Sequence, residues 1–108
     1  LMQLAQMGQI PSAIFVQNDL MAAGVLRAAR DMKITIATDL SIIGVDDIPM
    51  SAYMTPPLTT LRQDFQQIGR EAGQFLVDAI KYPERPCQHS LLPAQLIIRR
   101  STSSYKPT

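Results

Sequence analysis

Short apolar runs and two stretches of helical periodicity organise the chain. Residues 2–8 read as the last turns of a helix closed by Gly8. After the connector Ile10-Pro11-Ser12, the apolar run Ala13-Ile14-Phe15-Val16 suits a strand buried on both faces, as in a parallel sheet. Gln17-Asn18-Asp19 follows with helix N-cap chemistry, and a helix is predicted to about Met32 or Lys33. Within it Met21, Val25, Ala28 and Met32 are spaced by 4, 3 and 4 residues, one stripe of a 3.6-residue period. Arg27, Arg30 and Lys33 fall in its later turns, where cations suit the helix dipole. Ile34 to Asp39 predicts a loop and Leu40 to Val45 a second buried strand. Strand, helix and strand in that order make the βαβ unit of a parallel sheet.

Asp46-Asp47 closes the second strand, and residues 48–58 predict a loop broken by Pro49, Pro56 and Pro57. Thr59-Thr60-Leu61-Arg62 has the β-branched character of a short extended segment. Asp64 caps the strongest predicted helix. Phe65, Ile68, Ala72, Phe75, Leu76, Ala79 and Ile80 trace its apolar face, with Gln66, Arg70, Glu71, Gln74 and Asp78 mostly away from it. Gly69 and Gly73 each cost about 1 kcal/mol against alanine in a helix interior, which predicts another backbone packed closely there. Tyr82 to Ser90 reads as a connector with Pro83 and Pro86. Leu91 to Ile98 reads as a last strand interrupted by Pro93, and Ser103 to Thr108 as a frayed polar tail.

Composition narrows the function. At 108 residues and 46% hydrophobic, the chain is one domain or less and too apolar to be disordered. Ten Lys and Arg against nine Asp and Glu give a net charge of +1, a poor surface for binding DNA. No apolar run approaches the roughly 20 residues of a membrane span, and Leu1 to Met7 lacks the basic start and apolar core of a signal peptide. A single Cys87 excludes an internal disulfide and a CxxC metal site. His89, the one histidine, lies in a Pro-flanked connector and reads as solvated. The sequence implies no metal and no cofactor. The chain begins without Met and inside a helix, and its prolines concentrate after residue 48, so we expect a piece of a longer protein.

The polar groups cluster where an α/β sheet places a site. Asn18 and Asp19 follow the carboxyl end of the first strand, and Asp46 and Asp47 that of the second. Ligands of open parallel sheets bind outside those ends. Either these residues address a small polar ligand, or Asn18 or Asp19 only caps a helix and the two aspartates only end a strand. An acid–base pair built from the carboxylates is the enzyme alternative. No G-x-S-x-G, H-E-x-x-H or P-loop sequence supports it, so we expect no enzyme.

Four blocks then become distinctive. Pro11-Ser12-Ala13-Ile14-Phe15-Val16-Gln17-Asn18-Asp19-Leu20-Met21-Ala22-Ala23-Gly24 resembles the effector domain of LacI-type bacterial transcription regulators. So do Asp39-Leu40-Ser41-Ile42-Ile43-Gly44-Val45-Asp46-Asp47, Pro56-Pro57-Leu58-Thr59-Thr60-Leu61-Arg62-Gln63-Asp64 and Leu91-Leu92-Pro93-Ala94-Gln95-Leu96-Ile97-Ile98-Arg99-Arg100-Ser101-Thr102. Their order and spacing agree over residues 10–103.

The resemblance implies an α/β, periplasmic-binding-protein-like (type I) parallel-sheet fold, present as a C-terminal fragment. Residues 1–62 would belong to the C-terminal effector subdomain, 63–92 to a helix and connector of the N-terminal subdomain, and 93–108 to a return strand and tail. By the same resemblance Asn18, Asp46 and Gln63 face the cleft and hydrogen-bond a sugar or nucleobase effector. Asp19 and Asp47 become structural neighbours, Asp19 as a helix-start anion. Met21, Ala22, Val25, Tyr53 and Met54 become homodimer-interface candidates. The implied protein is a ligand-controlled cytoplasmic repressor that meets operator DNA only through an N-terminal helix-turn-helix absent from this chain. A periplasmic sugar-binding transport receptor of the same fold is the alternative; the Pro-Pro-Leu-Thr-Thr block and the Arg-Arg-Ser-Thr ending resemble the regulator branch. Two strands of one subdomain, a helix of the other and one return strand bury little apolar surface. We therefore expect this piece to dimerise, exchange elements or derive from a longer chain.

Overall fold

The computed structural model of the chain describes residues 1–105. Its elements are α1 (Met2–Gln6), β1 (Ala13–Phe15), α2 (Asp19–Asp31), β2 (Ser41–Val45), a 3-10 helix (Pro49–Tyr53), β3 (Thr59–Arg62), α3 (Phe65–Lys81) and β4 (Gln95–Ile97). They fall into two units. One comprises Leu1–Arg62 together with the segment from Gln95 onward, and the other is Gln63–Ala94.

The first unit is built on one sheet in the order β1-β2-β3-β4. β1 pairs parallel with β2, from Ala13↔Ser41 to Phe15↔Ile43, and β2 pairs parallel with β3, from Ile43↔Thr59 to Val45↔Leu61. The βαβ unit predicted from the apolar runs is present. β4 pairs antiparallel with β3 over Thr60–Arg62, so the sheet is mixed but mostly parallel. The last strand is shorter than predicted: three of the four residues of β3 pair with it, the Thr59 N–H going instead to Ser101 Oγ, and Pro93 offers no N–H.

Val16, Ala22, Leu26, Leu40, Ile42 and Leu58 form the buried cluster, with Ile14, Val25, Ile34, Ile36 and Met54 packed against it. The buried side of α2 is Asp19, Ala22, Leu26 and Ala29, one step round from the predicted Met21, Val25, Ala28 and Met32. Both stripes satisfy the helical period because Leu20 to Leu26 is apolar nearly all round. The alanines win because their small side chains let the helix lie close on the sheet. Met21 is consequently 52% exposed. β1 is half-open rather than buried on both faces: only Ile14 turns partly inward, and Phe15 is 64% exposed. The predicted loop 48–58 contains the 3-10 helix, started by Pro49, whose fixed φ suits a first helical position.

Residues 99–103 close the N-terminal ends of β2 and β3. Buried Ser101 donates from Oγ to the Ile42 carbonyl at 2.6 Å and accepts there from the Thr59 N–H at 2.8 Å; its own carbonyl takes the Ile42 N–H at 2.8 Å. Ser103 N–H reaches Ser41 Oγ at 3.2 Å, and Ser103 Oγ donates to the Ala37 carbonyl. Ser103 is therefore tied down where a frayed tail was predicted; positions 106–108 of that tail lie outside the described residues.

In the second unit, Asp64 caps α3 by accepting the Gln67 N–H at 2.9 Å, as the sequence predicts. No residue of α3 is buried. Along its apolar face Phe65 is 57%, Leu76 63% and Ile80 72% exposed, while Phe75 is half-buried. Nothing lies within 4 Å of a Cβ added at Gly69 or Gly73, so the close backbone neighbour expected from those glycines is not found among the described residues.

Candidate functional site

The parallel pairing brings the carboxyl ends of β1, β2 and β3 to one edge of the sheet. Asn18 stands just beyond β1, Asp46 just beyond β2, and Gln63 follows β3 in sequence as the first residue of the second unit. Asn18 is the N-cap of α2: its Oδ1 accepts the Met21 N–H at 2.8 Å. The helix-cap role is therefore real, and it commits the side-chain oxygen of Asn18.

At Asp46 and Asp47 the backbone turns with two successive positive φ values, 107° and 51°. That region is uncommon for residues with a Cβ, and aspartate tolerates it better than most. The Asp46 N–H still reaches the Leu61 carbonyl at 2.8 Å, holding the turn against β3.

The two aspartates have different surroundings. Asp47 is structural. Its carboxylate, 5% exposed, takes Arg99 Nη2 at 2.6 Å on Oδ1 and Arg62 Nη2 at 2.6 Å on Oδ2. Arg99 also donates to the Leu58 carbonyl at 2.8 Å, so one guanidinium links the strand-end turn to the entry of β3. Burial alone would raise the Asp47 carboxyl, but the hydrogen bonds and charges of Arg99 and Arg62 outweigh it and hold it below its ordinary value. The sign follows from that lowering. The contribution of Asp47 to stability is full above the unfolded carboxylate pKa of about 3.9 and is lost as pH falls through the lower folded value. Urea titrations between pH 6 and pH 3 should show stability falling on the acid side, with a shallower fall in Asp47→Asn; equal slopes would show that this carboxylate adds nothing.

Asp19 is buried more deeply than a helix-start anion needs to be. It is fully buried, with Oδ2 accepting the Ile48 N–H at 3.0 Å and Ser51 Oγ at 2.5 Å, and Oδ1 accepting Thr60 Oγ1 at 2.6 Å. Gly44 makes room for it: a Cβ there would overlap Asp19 Oδ1 and stand 2.9 Å from Leu58 Cδ2. Sequence reasoning missed Ser51, Thr60, Arg62, Arg99 and Ser101. One signal was available, since hydroxyls in a short buried strand need an acceptor and Asp19 was the carboxylate a strand away.

Of the interface candidates, Tyr53 is 85% exposed and Met21 52%, while Val25 and Met54 are half-buried against the core. Ala22 is a correction. At 0% exposure it is enclosed in the first unit beneath Val16 and Leu26, so its methyl has no surface to offer another chain. The described residues form at least two shallow grooves. One, about 280 Å³, is lined by Ile68, Glu71, Ala72, Phe75, Ser90 and Leu92. The other, about 420 Å³, is lined by Leu26, Arg30, Lys33, Ile34, Thr35, Ile36, Thr55 and Pro56. Neither includes Asn18, Asp46 or Gln63. Among the described residues no cluster of His, Cys, Asp and Glu is arranged to hold a metal, and no helix is long and apolar enough to cross a membrane.

Comparison with known proteins gives the fold a context. The profile of a family described as a periplasmic binding protein-like domain matches residues 1–102. The chain is 40% identical over 100 residues to the HTH-type transcriptional repressor CytR of Escherichia coli K12, covering 93% of this chain and 29% of that protein. Among solved structures, the Lac repressor dimer bound to operator and the anti-inducer ONPF superposes with a TM-score of 0.85 at 34% identity, over 95% of this chain and 36% of that one. A LacI-family regulator from Enterococcus faecium with bound ribose superposes at 0.79 and 32% identity, over 96% and 40%. The chain thus spans less than a third of the length of the curated relative.

Proposed function

Because this chain belongs to the periplasmic binding protein-like domain family and resembles LacI-type regulators along nearly its whole length, we propose that it is effector-binding and dimerisation sequence of a ligand-controlled transcriptional repressor. The observation that carries the reading is the alignment of Asn18, Asp46 and Gln63 after three neighbouring strands that run parallel. That is where an α/β sheet presents polar groups to a ligand. Asn18, its oxygen committed to the helix cap, donates from its amide to a hydroxyl or ring nitrogen; Asp46 accepts from hydroxyls; Gln63 can do either. The ligand class is a sugar or nucleobase.

The matched relative is a repressor with a helix-turn-helix, which favours a regulator over a transport receptor and over an enzyme. Operator contact in this reading belongs to a helix-turn-helix outside these residues, whose net charge of +1 gives DNA little to hold. Met21, Val25, Tyr53 and Met54 remain the dimer-interface residues. Such a repressor works in the cytoplasm, where its operator is.

The test is calorimetric titration of the protein, expressed with all the sequence its gene encodes, with ribose, cytidine and guanine. Asn18→Ala and Gln63→Ala should each weaken the best of these about tenfold, roughly 1.4 kcal/mol. Asp46→Gly removes the carboxylate, so affinity should fall at least about tenfold. Unchanged affinity in all three variants would remove the site from these residues.

A further inference from the structure

We propose that Asp19 is a positioning residue for the effector site, holding its Asn18 and Asp46 ends in register and tying both to the 3-10 helix. The proposal rests on the effector reading of Asn18 and Asp46 and adds what fixes their geometry.

The carboxylate gathers three donors from separate parts of the first unit: the Ile48 N–H, Ser51 Oγ and Thr60 Oγ1. Asp19 follows Asn18 directly, so an anchored Asp19 sets the backbone that presents Asn18. Ile48 stands two residues after Asp46, and its bond to Asp19 closes the turn that carries Asp46 through positive φ. Thr60 lies opposite Gly44 in the β2–β3 register, and Gly44 has no Cβ to push the carboxylate aside. Ser51 belongs to the 3-10 helix, two residues before Tyr53, which is 85% exposed.

The consequence is mechanical. A capping residue on a bare helix end is free to shift, but here the start of α2 cannot move without dragging the Asp46 turn and the 3-10 helix with it. A displacement of Asn18 when the effector seats is therefore passed through one buried carboxylate to Ser51 and on to the surface at Tyr53. None of the three donors needs to touch the effector for this to hold.

The test compares two substitutions at Thr60 in the protein with all its encoded sequence, titrated with ribose and cytidine below the unfolding transition. Thr60→Val keeps the shape and removes the hydroxyl; Thr60→Ser keeps the hydroxyl and removes the methyl. The expected result is binding about five- to tenfold weaker in Thr60→Val, the size of one hydrogen bond, and within about twofold of wild type in Thr60→Ser. If Thr60→Val does not fold, Ser51→Ala makes the same comparison from the 3-10 helix. Wild-type affinity in the hydroxyl-free variant alongside a lowered thermal midpoint would overturn the proposal while leaving the effector site intact. Equal losses in Thr60→Val and Thr60→Ser would also overturn it, because packing would then account for both. If wild type binds neither probe, or Asn18→Ala binds as wild type does, the effector reading falls and the proposal falls with it.

Discussion

Replacing Gly44 with alanine should destabilise the protein by about 3 kcal/mol or more, read as a lowered ΔG of unfolding in urea. A buried glycine to alanine change is ordinarily mild, and the reason for a large effect here is the company Gly44 keeps. The new methyl would overlap Asp19 Oδ1 and press on Leu58 Cδ2 at 2.9 Å. An aspartate side chain usually yields by rotating, but this one is pinned by three hydrogen bonds. Rotation would break the 2.6 Å bond to Thr60, leaving a buried hydroxyl and a buried carboxylate without each other. Overpacking costs roughly 1–3 kcal/mol, and losing a hydrogen bond to a charged group adds about 1.5–3. A loss under about 1 kcal/mol would mean that β2 and α2 part easily.

Asp19→Ala should cost about as much by a different route. It fills no space and leaves the Ile48 N–H, Ser51 Oγ and Thr60 Oγ1 pointing at a vacated pocket. A buried donor without a partner costs about 1–3 kcal/mol, so three of them put the expected loss near 3–5 kcal/mol, less where a hydroxyl turns to a new acceptor. The two substitutions should not be additive. With the carboxylate gone the alanine methyl at residue 44 has room, so adding Gly44→Ala to Asp19→Ala should cost little further. The double-mutant cycle should return a coupling above about 1.5 kcal/mol. Additive losses would show that Gly44 matters for Leu58 and not for Asp19.

Much of the first unit was legible from local rules. The run Ala13–Val16, a helix start at Gln17-Asn18-Asp19 and the βαβ order needed only periodicity and capping, and Asp64 announced α3 more directly, whereas the choice of Asn18 over Asp19 as the cap came from the structure. What escaped was whatever depends on contacts distant in sequence. The buried stripe of α2 was misassigned by one step, since Leu20 to Leu26 satisfies two stripes and only the sheet decides between them. Ala22 was misread for the same reason. Ser101 gave no local sign that it joins β2 to β3, nor did Arg99 that its guanidinium belongs to Asp47. The site is legible in part: strand-end placement of Asn18 and Asp46 follows from pattern, whereas the burial of Asp19 depends on Gly44 and Thr60 being opposite each other.

The segment at Ser101 has a consequence for how this sheet is made. Its bonds to Thr59 and Ile42 span 42 and 59 residues of chain, and all of α3 lies in that interval. Until synthesis passes residue 101, Ile42 and Thr59 keep unpaired amides at the leading ends of two strands, the kind of edge another chain can add to. Closing so long a loop is a slow, late event. The beginning of the sheet is therefore the last part of it to become native, and a chain arrested short of Ser101 would associate there first.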